Sequence, residues 1–156
     1  MLMDTRPPRG DGGPRPWEGE PNRVAWRDQA TGLQCLIRRN HLGVLCGYVR
    51  VPRDHPLHGV DYRQRRAWRS LHAHGGLTFS GRARRGRDLR RGHWFGFDCG
   101  HAFDFVPGMQ ALYDTMPPDL LEALTAHQAH DVYRTVDYVR NECTNLAAQL
   151  ARKAKP

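Results

Sequence analysis

The chain is 156 residues long and 39% hydrophobic, with 24 Lys and Arg against 16 Asp and Glu for a formal charge of +8. That length suits one domain with one modest core, and no apolar run approaches the roughly 18 residues that a membrane helix needs. The four cysteines, Cys35, Cys46, Cys99 and Cys143, form no C-x-x-C pair, which excludes a zinc ribbon and gives no disulfide framework.

Residues 1–22, MLMDTRPPRGDGGPRPWEGEPN, lack the apolar core of a signal peptide, and their Pro and Gly content reads as a disordered leader. The remaining residues, 23–156, are expected to form a single cytoplasmic domain with reduced thiols. Residues 23–40 predict two strands around the turn Ala30-Thr31-Gly32, because Val24 and Trp26, then Leu33, Cys35 and Ile37, alternate with polar neighbours. A third strand follows over residues 41–52 and stops at Pro52. Residues 53–62 read as loop, carrying His55 and His58. Residues 63–74 predict a further strand ending near His74, since Trp68, Ser70, His72 and His74 share one parity. Short LTFSG and aromatic HWFGFDC strands complete the sheet.

Beyond Gly108 the pattern turns helical. Asp119 is placed to cap a helix carrying Leu120, Leu121 and Leu124. Residues 131–155 predict the longest helix, with Asp131 as its cap and Val132, Val136, Val139, Cys143, Leu146 and Leu150 as its apolar stripe. His127 and His130, just before it, read as solvent-facing. The expected fold is therefore α+β: an antiparallel sheet of about five or six strands with a long C-terminal helix packed on one face.

Two glycine-rich stretches concentrate the chemistry. In HAHGG, a strand would project His72 and His74 to one side, and Gly75-Gly76 would turn the chain tightly. In DCGHAFD, Asp98, His101 and Asp104 stand three apart, a spacing at which a turn can aim all three one way. Imidazole and carboxylate together suit zinc or manganese, giving His74, His101, Asp98 and Asp104 as candidate metal ligands and Asp98 and Asp104 as candidate catalytic groups. The same residues also read as plain turns, with Asp98 capping backbone amides and His101 covering core. Residues 82–91, RARRGRDLRR, hold six arginines. Arg84, Arg85 and Arg87, with Trp94, are candidate contacts to an anionic substrate. Tyr138 and Glu142, four apart on the last helix, read first as surface residues and second as partners of the site.

The blocks CLIRRNHLGVLCGYVRVP, HPLHGVDY, HGGLTFSG, WFGFDCGHAFD and YRTVDYVRNECTNLAAQL, in this order from Gln34 to Leu150, resemble a group of small proteins of bacteriophages and bacteria. The resemblance implies a bacterial or phage setting and a cytoplasmic protein, and lends no role to any residue. Three functions fit the residues. The first is a metal-dependent hydrolase acting on a phosphorylated or nucleotide-like substrate. The second is a non-catalytic module that sequesters a nucleotide or blocks a host partner. The third is a nucleic-acid binder working through loop 82–91. None of them needs a membrane.

Overall fold

The computed structural model describes residues 15–82, 92–126 and 131–154. Five strands, β1 (Arg23–Arg27), β2 (Gln34–Arg39), β3 (Leu45–Val51), β4 (Phe79–Gly81) and β5 (His93–Asp98), form one antiparallel sheet in the order β1-β2-β3-β5-β4. Helices α1 (Arg65–Trp68), α2 (Gln110–Tyr113), α3 (Pro118–Thr125) and α4 (Val136–Ala154) accompany it. The α+β reading of the sequence holds: α4 packs across one face of the sheet, over β2 and β3.

Local chemistry sets the first two hairpins. Asp28 Oδ2 accepts hydrogen bonds from Thr31 N–H at 3.0 Å and Thr31 Oγ1 at 2.6 Å, closing the β1–β2 turn. Between β2 and β3, Asn40 Oδ1 accepts from Leu42 N–H at 2.9 Å, and Gly43 takes a φ of 81° that a side chain would resist. The register then sorts residues by parity. Cys35, Ile37, Val49, Val51, Phe95 and Phe97 face α4, while Leu36, Tyr48 and Trp94 face away.

Val139, Cys143, Leu146, Ala147 and Leu150 are the buried stripe of α4, each at 0% exposure. The helix comes close to β3 because Gly47 has no side chain: a Cβ there would overlap the Phe97 ring and lie 2.7 Å from Cys143 Sγ. The buried cysteines behave as small apolar groups, and all four are free thiols. His55 does not stand free on its loop. Its Nε2 bonds the Leu150 carbonyl at 2.8 Å and its Nδ1 accepts from Leu57 N–H at 3.0 Å, which ties the β3–α1 connection to the last turns of α4.

Four expectations are corrected. The strand over 63–74 does not form. Arg65–Trp68 is a short helix, and residues 71–76 are irregular chain. Parity misled because the inward pair is Ala67 and Leu71, four apart and joined by Leu71 N–H to the Ala67 carbonyl, while Trp68 is 60% exposed. Residues 15–22 are not part of a disordered leader, since from Arg15 the chain lies on the domain; residues 1–14 lie outside the described residues. Trp17 stacks on Phe105 at 5.0 Å, and Glu20 accepts from Tyr133 Oη at 2.6 Å and from Val136 N–H at 2.9 Å. Glu20 thus supplies the negative charge at the start of α4 that Asp131 was expected to give, aided by Thr135 Oγ1 accepting from Tyr138 N–H at 3.2 Å. Asp119 lies in the first turn of α3 and Pro117 holds the cap position. His127 and His130 lie outside the described residues.

Candidate functional site

The candidate site forms where residues 71–76, the loop after β5 and the first turns of α4 converge. Three side chains of α4 hold the first of these segments. Gln149 accepts from His72 N–H and donates to the His72 carbonyl, both at 2.8 Å. Glu142 Oε2 accepts from His74 N–H at 2.8 Å, and the Tyr138 hydroxyl meets His74 Nδ1 at 2.8 Å. Positions 138, 142 and 149 fall on one side of a helix of 3.6 residues per turn, so a single rigid element fixes both backbone and ring of His74.

The loop after β5 supplies the carboxylate. Asp104 N–H bonds the His101 carbonyl at 3.0 Å, and His101 N–H returns a bond to Asp104 Oδ2 at 3.0 Å, a closed turn. A bridge from Asp104 to Val132 pins this turn next to the start of α4. Phe103, inside it, takes a φ of 71°, rare for a residue with a side chain. Asp104 Oδ2 lies 2.6 Å from His74 Nε2, and Oδ1 accepts from Arg134 Nε at 2.7 Å. The Asp104 side chain is fully buried; those of His74 and Arg134 retain 12% and 23% exposure.

Burial alone would raise the Asp104 carboxyl, but hydrogen bonds from His74, Arg134 and the His101 amide outweigh it and hold the group below the usual carboxylate range. An ionised Asp104 selects the His74 tautomer with its proton on Nε2, which leaves Nδ1 to accept from the Tyr138 hydroxyl. The result is a directed chain from Asp104 through His74 to Tyr138. Tyr138 is held in the phenol form by burial and by the nearby Glu142 carboxylate, and the Arg134 guanidinium sits 4.9 Å above its ring centroid.

His101 completes the corner. Its ring lies against Gly75, where a Cβ would overlap the imidazole, and its centroid is 5.9 Å from that of His74. Its Nε2 is buried and has no hydrogen-bond partner among the described residues, with Asp98 Oδ1 at 3.6 Å. Asp98 itself caps Gly100 N–H at 2.9 Å.

The structure thus gathers His74, His101 and Asp104, with Asp98 at the edge. His72 and His74 do not share a strand face: His72 is exposed and His74 turns inward. Trp94 lies on the sheet face away from this corner, buried to 3% beside Leu36. Arg84, Arg85 and Arg87 lie outside the described residues. Among the described residues no three His, Cys, Asp or Glu side chains are arranged as ligands of one metal ion; His74 and Asp104 bond each other directly. Sequence reasoning missed Arg134 and ranked Tyr138 and Glu142 as surface residues. The four-residue step from Arg134 to Tyr138 to Glu142 was the available signal. No protein-family model matches the chain, and neither a curated protein nor a solved structure is significantly similar to it.

Proposed function

We propose that the His74–Asp104 corner is a hydrolytic centre for an anionic, phosphorylated substrate. The observation that carries this reading is the buried, ionised Asp104 on His74 Nε2, with the other ring nitrogen committed to a tyrosine hydroxyl. Such a pairing holds an imidazole in one tautomer and one orientation, ready for proton transfer. In the proposed step, a water attacking phosphorus gives a proton to Tyr138 Oη as that hydroxyl passes its own to His74 Nδ1. The imidazolium that forms is stabilised by Asp104. The proton returns by the same route to the departing oxygen. Arg134, already paired to Asp104 through Nε, presents the rest of its guanidinium to the phosphoryl oxygens.

One observation favours a metal-assisted version of the same hydrolysis. Two ligands about 2.1 Å from one ion stand roughly 3.4 Å apart in a tetrahedral site. The unpartnered His101 Nε2 and Asp98 Oδ1 are 3.6 Å apart. In this second reading His101 and Asp98 would hold zinc or manganese, which would supply an activated water for the same hydrolysis.

Release of p-nitrophenol from bis(p-nitrophenyl) phosphate and from the monoester tests both versions, with chelator and with added zinc or manganese. His74→Gln and Asp104→Asn are expected to lose at least about 100-fold, in line with general acid–base catalysis. His101→Ala loses activity and bound metal together only in the metal-assisted version. Wild-type protein that releases no nitrophenol under any of these conditions, or variants that keep the full rate, would remove the hydrolase reading.

A further inference from the structure

The sheet has a second face that α4 does not cover. Parity places Arg23, Ala25 and Arg27 of β1, Gln34, Leu36 and Arg38 of β2, Cys46, Tyr48 and Arg50 of β3, and Trp94 of β5 on it. We infer that this face binds single-stranded nucleic acid.

The chemistry of the face supports that partner. Its centre is Leu36 and Trp94, with Tyr48 and Phe79 packed against them. Tyr48 and Phe79 are half-buried and meet edge to face at 5.6 Å, flanking Gly96 from the two neighbouring strands. Base stacking on such rings tolerates any sequence, because every base has a π-face. Around this centre stand Arg23, Arg27, Arg38 and Arg50. Arg50 donates to Gln34 Oε1 at 2.6 Å and Arg27 to the Gly32 carbonyl at 2.7 Å. The ion pairs among the described residues engage Arg15, Arg39, Arg63 and Arg134, not Arg27, Arg38 or Arg50. The one carboxylate of this parity on the strands is Asp98, at the end of β5.

A separate feature points to a ligand. A cavity of about 310 Å³ opens on this face, lined by Arg23, Arg27, Gln34, Leu36 and Trp94. Trp94 is only 3% exposed, yet its indole Nε1–H has no acceptor among the described residues. A buried donor without a partner is costly, and a phosphate or base oxygen seated in the cavity would satisfy it. The arginines span three strands, roughly 10 Å at about 4.8 Å per strand. Arg23 and Arg27 lie a further ~13 Å apart along β1, at about 3.3 Å per residue. That spread matches an extended polyanion better than one compact phosphate group. A duplex fits poorly, since its major groove admits a helix or a two-stranded ribbon and not a broad sheet.

The test is fluorescence anisotropy of a labelled 12-nucleotide oligothymidine at 50 and 200 mM NaCl. Wild-type protein should bind, with log K falling as log salt rises by about 0.7 per arginine engaged. Arg27→Gln/Arg38→Gln should weaken binding at least tenfold and flatten that slope by about 1.4, and Arg27→Lys/Arg38→Lys should bind nearly as wild type. Trp94→Phe should weaken binding several-fold while its melting temperature stays close to wild type. The control is Arg65→Gln/Arg69→Gln, which removes the same charge from exposed positions at α1. A loss in the control equal to that of the sheet variant overturns the inference. So does absence of binding, thymidine monophosphate binding as tightly as the 12-mer, a duplex of equal length binding more tightly, or binding confined to vesicles of anionic phospholipid.

Discussion

Replacing Asp104 by Asn keeps the side chain's shape and removes its charge, so it isolates the electrostatic role of the buried corner. Asp104 accepts three hydrogen bonds: Oδ2 takes His74 Nε2 and the His101 amide, and Oδ1 takes Arg134 Nε. An asparagine can place its single oxygen where Oδ2 was and keep the first two. Its amide then faces Arg134, donor against donor. One charge-assisted bond is lost, worth about 1.5–3 kcal/mol, and the two that remain lose their ionic component. The expected cost at pH 7 is about 2–3 kcal/mol, which for a domain of this size lowers Tm by about 4–12 °C. The pH dependence gives the sharper check. Asp104 is depressed in the folded state, so its stabilisation is complete above the unfolded-state value near 3.9 and disappears as pH falls through the lower folded value. Urea unfolding of the two proteins at pH 7, 4 and 2.5 should therefore show a gap that narrows on the acid side. A gap that stays constant across this range, or one below 0.5 kcal/mol at pH 7 by the same order-of-magnitude scale, would refute the argument.

Gly75→Ala meets both a φ of 64° and the His101 ring; it should cost more than about 1 kcal/mol and move the His101 imidazole resonances in a proton–nitrogen correlation spectrum. Glu20→Ala removes the acceptor of Val136 N–H and of Tyr133 Oη and should cost about 1–2 kcal/mol by urea titration; an unchanged midpoint would mean that the segment from Arg15 is not part of the folded unit. Burial pushes the thiols of Cys35 and Cys46 up to about 12 and about 11, and it raises Cys99 and Cys143 as well. Because the thiolate is the reactive form, native protein at pH 8 should stay inert to a disulfide reagent that titrates all four cysteines after unfolding.

The parts of the fold legible in the sequence are those whose burial follows a simple period. β1 alternates along its length, β3 alternates from Gly47 to Val51, and α4 steps by three and four, whereas β2 is buried on both faces at Cys35, Leu36 and Ile37. Residues 63–74 failed because a four-residue helix offers a single i,i+4 pair, Ala67 and Leu71, and any window that short also fits alternation. Residues 15–22 carry no periodic signal at all. Trp17 and Glu20 are held by tertiary partners, Phe105 and the start of α4, more than 80 residues away, and local composition carries no record of such contacts.

The site was half legible for a related reason. Glycine density and histidine spacing marked HAHGG and DCGHAFD as special, and the two segments do meet. What the spacing misjudged is the geometry of meeting. The predicted arrangement aimed four side chains at a shared ion; in the folded chain a carboxylate and an imidazole close on each other at 2.6 Å. That outcome depends on Arg134 and Tyr138, contributed from beyond the loop at the start of α4. With Arg134 paired to one oxygen of Asp104, the other is left for His74, and Tyr138 then fixes which way the ring faces. Without those two residues, a buried carboxylate next to two histidines would have reason to recruit a cation. The charge that balances Asp104 is therefore built into the chain, and Arg134→Gln should be the substitution that raises the corner's affinity for zinc. Calorimetric titration of the metal into Arg134→Gln and wild type measures that difference, and equal affinities would show that Arg134 does not act as the counter-charge that keeps a cation from Asp104.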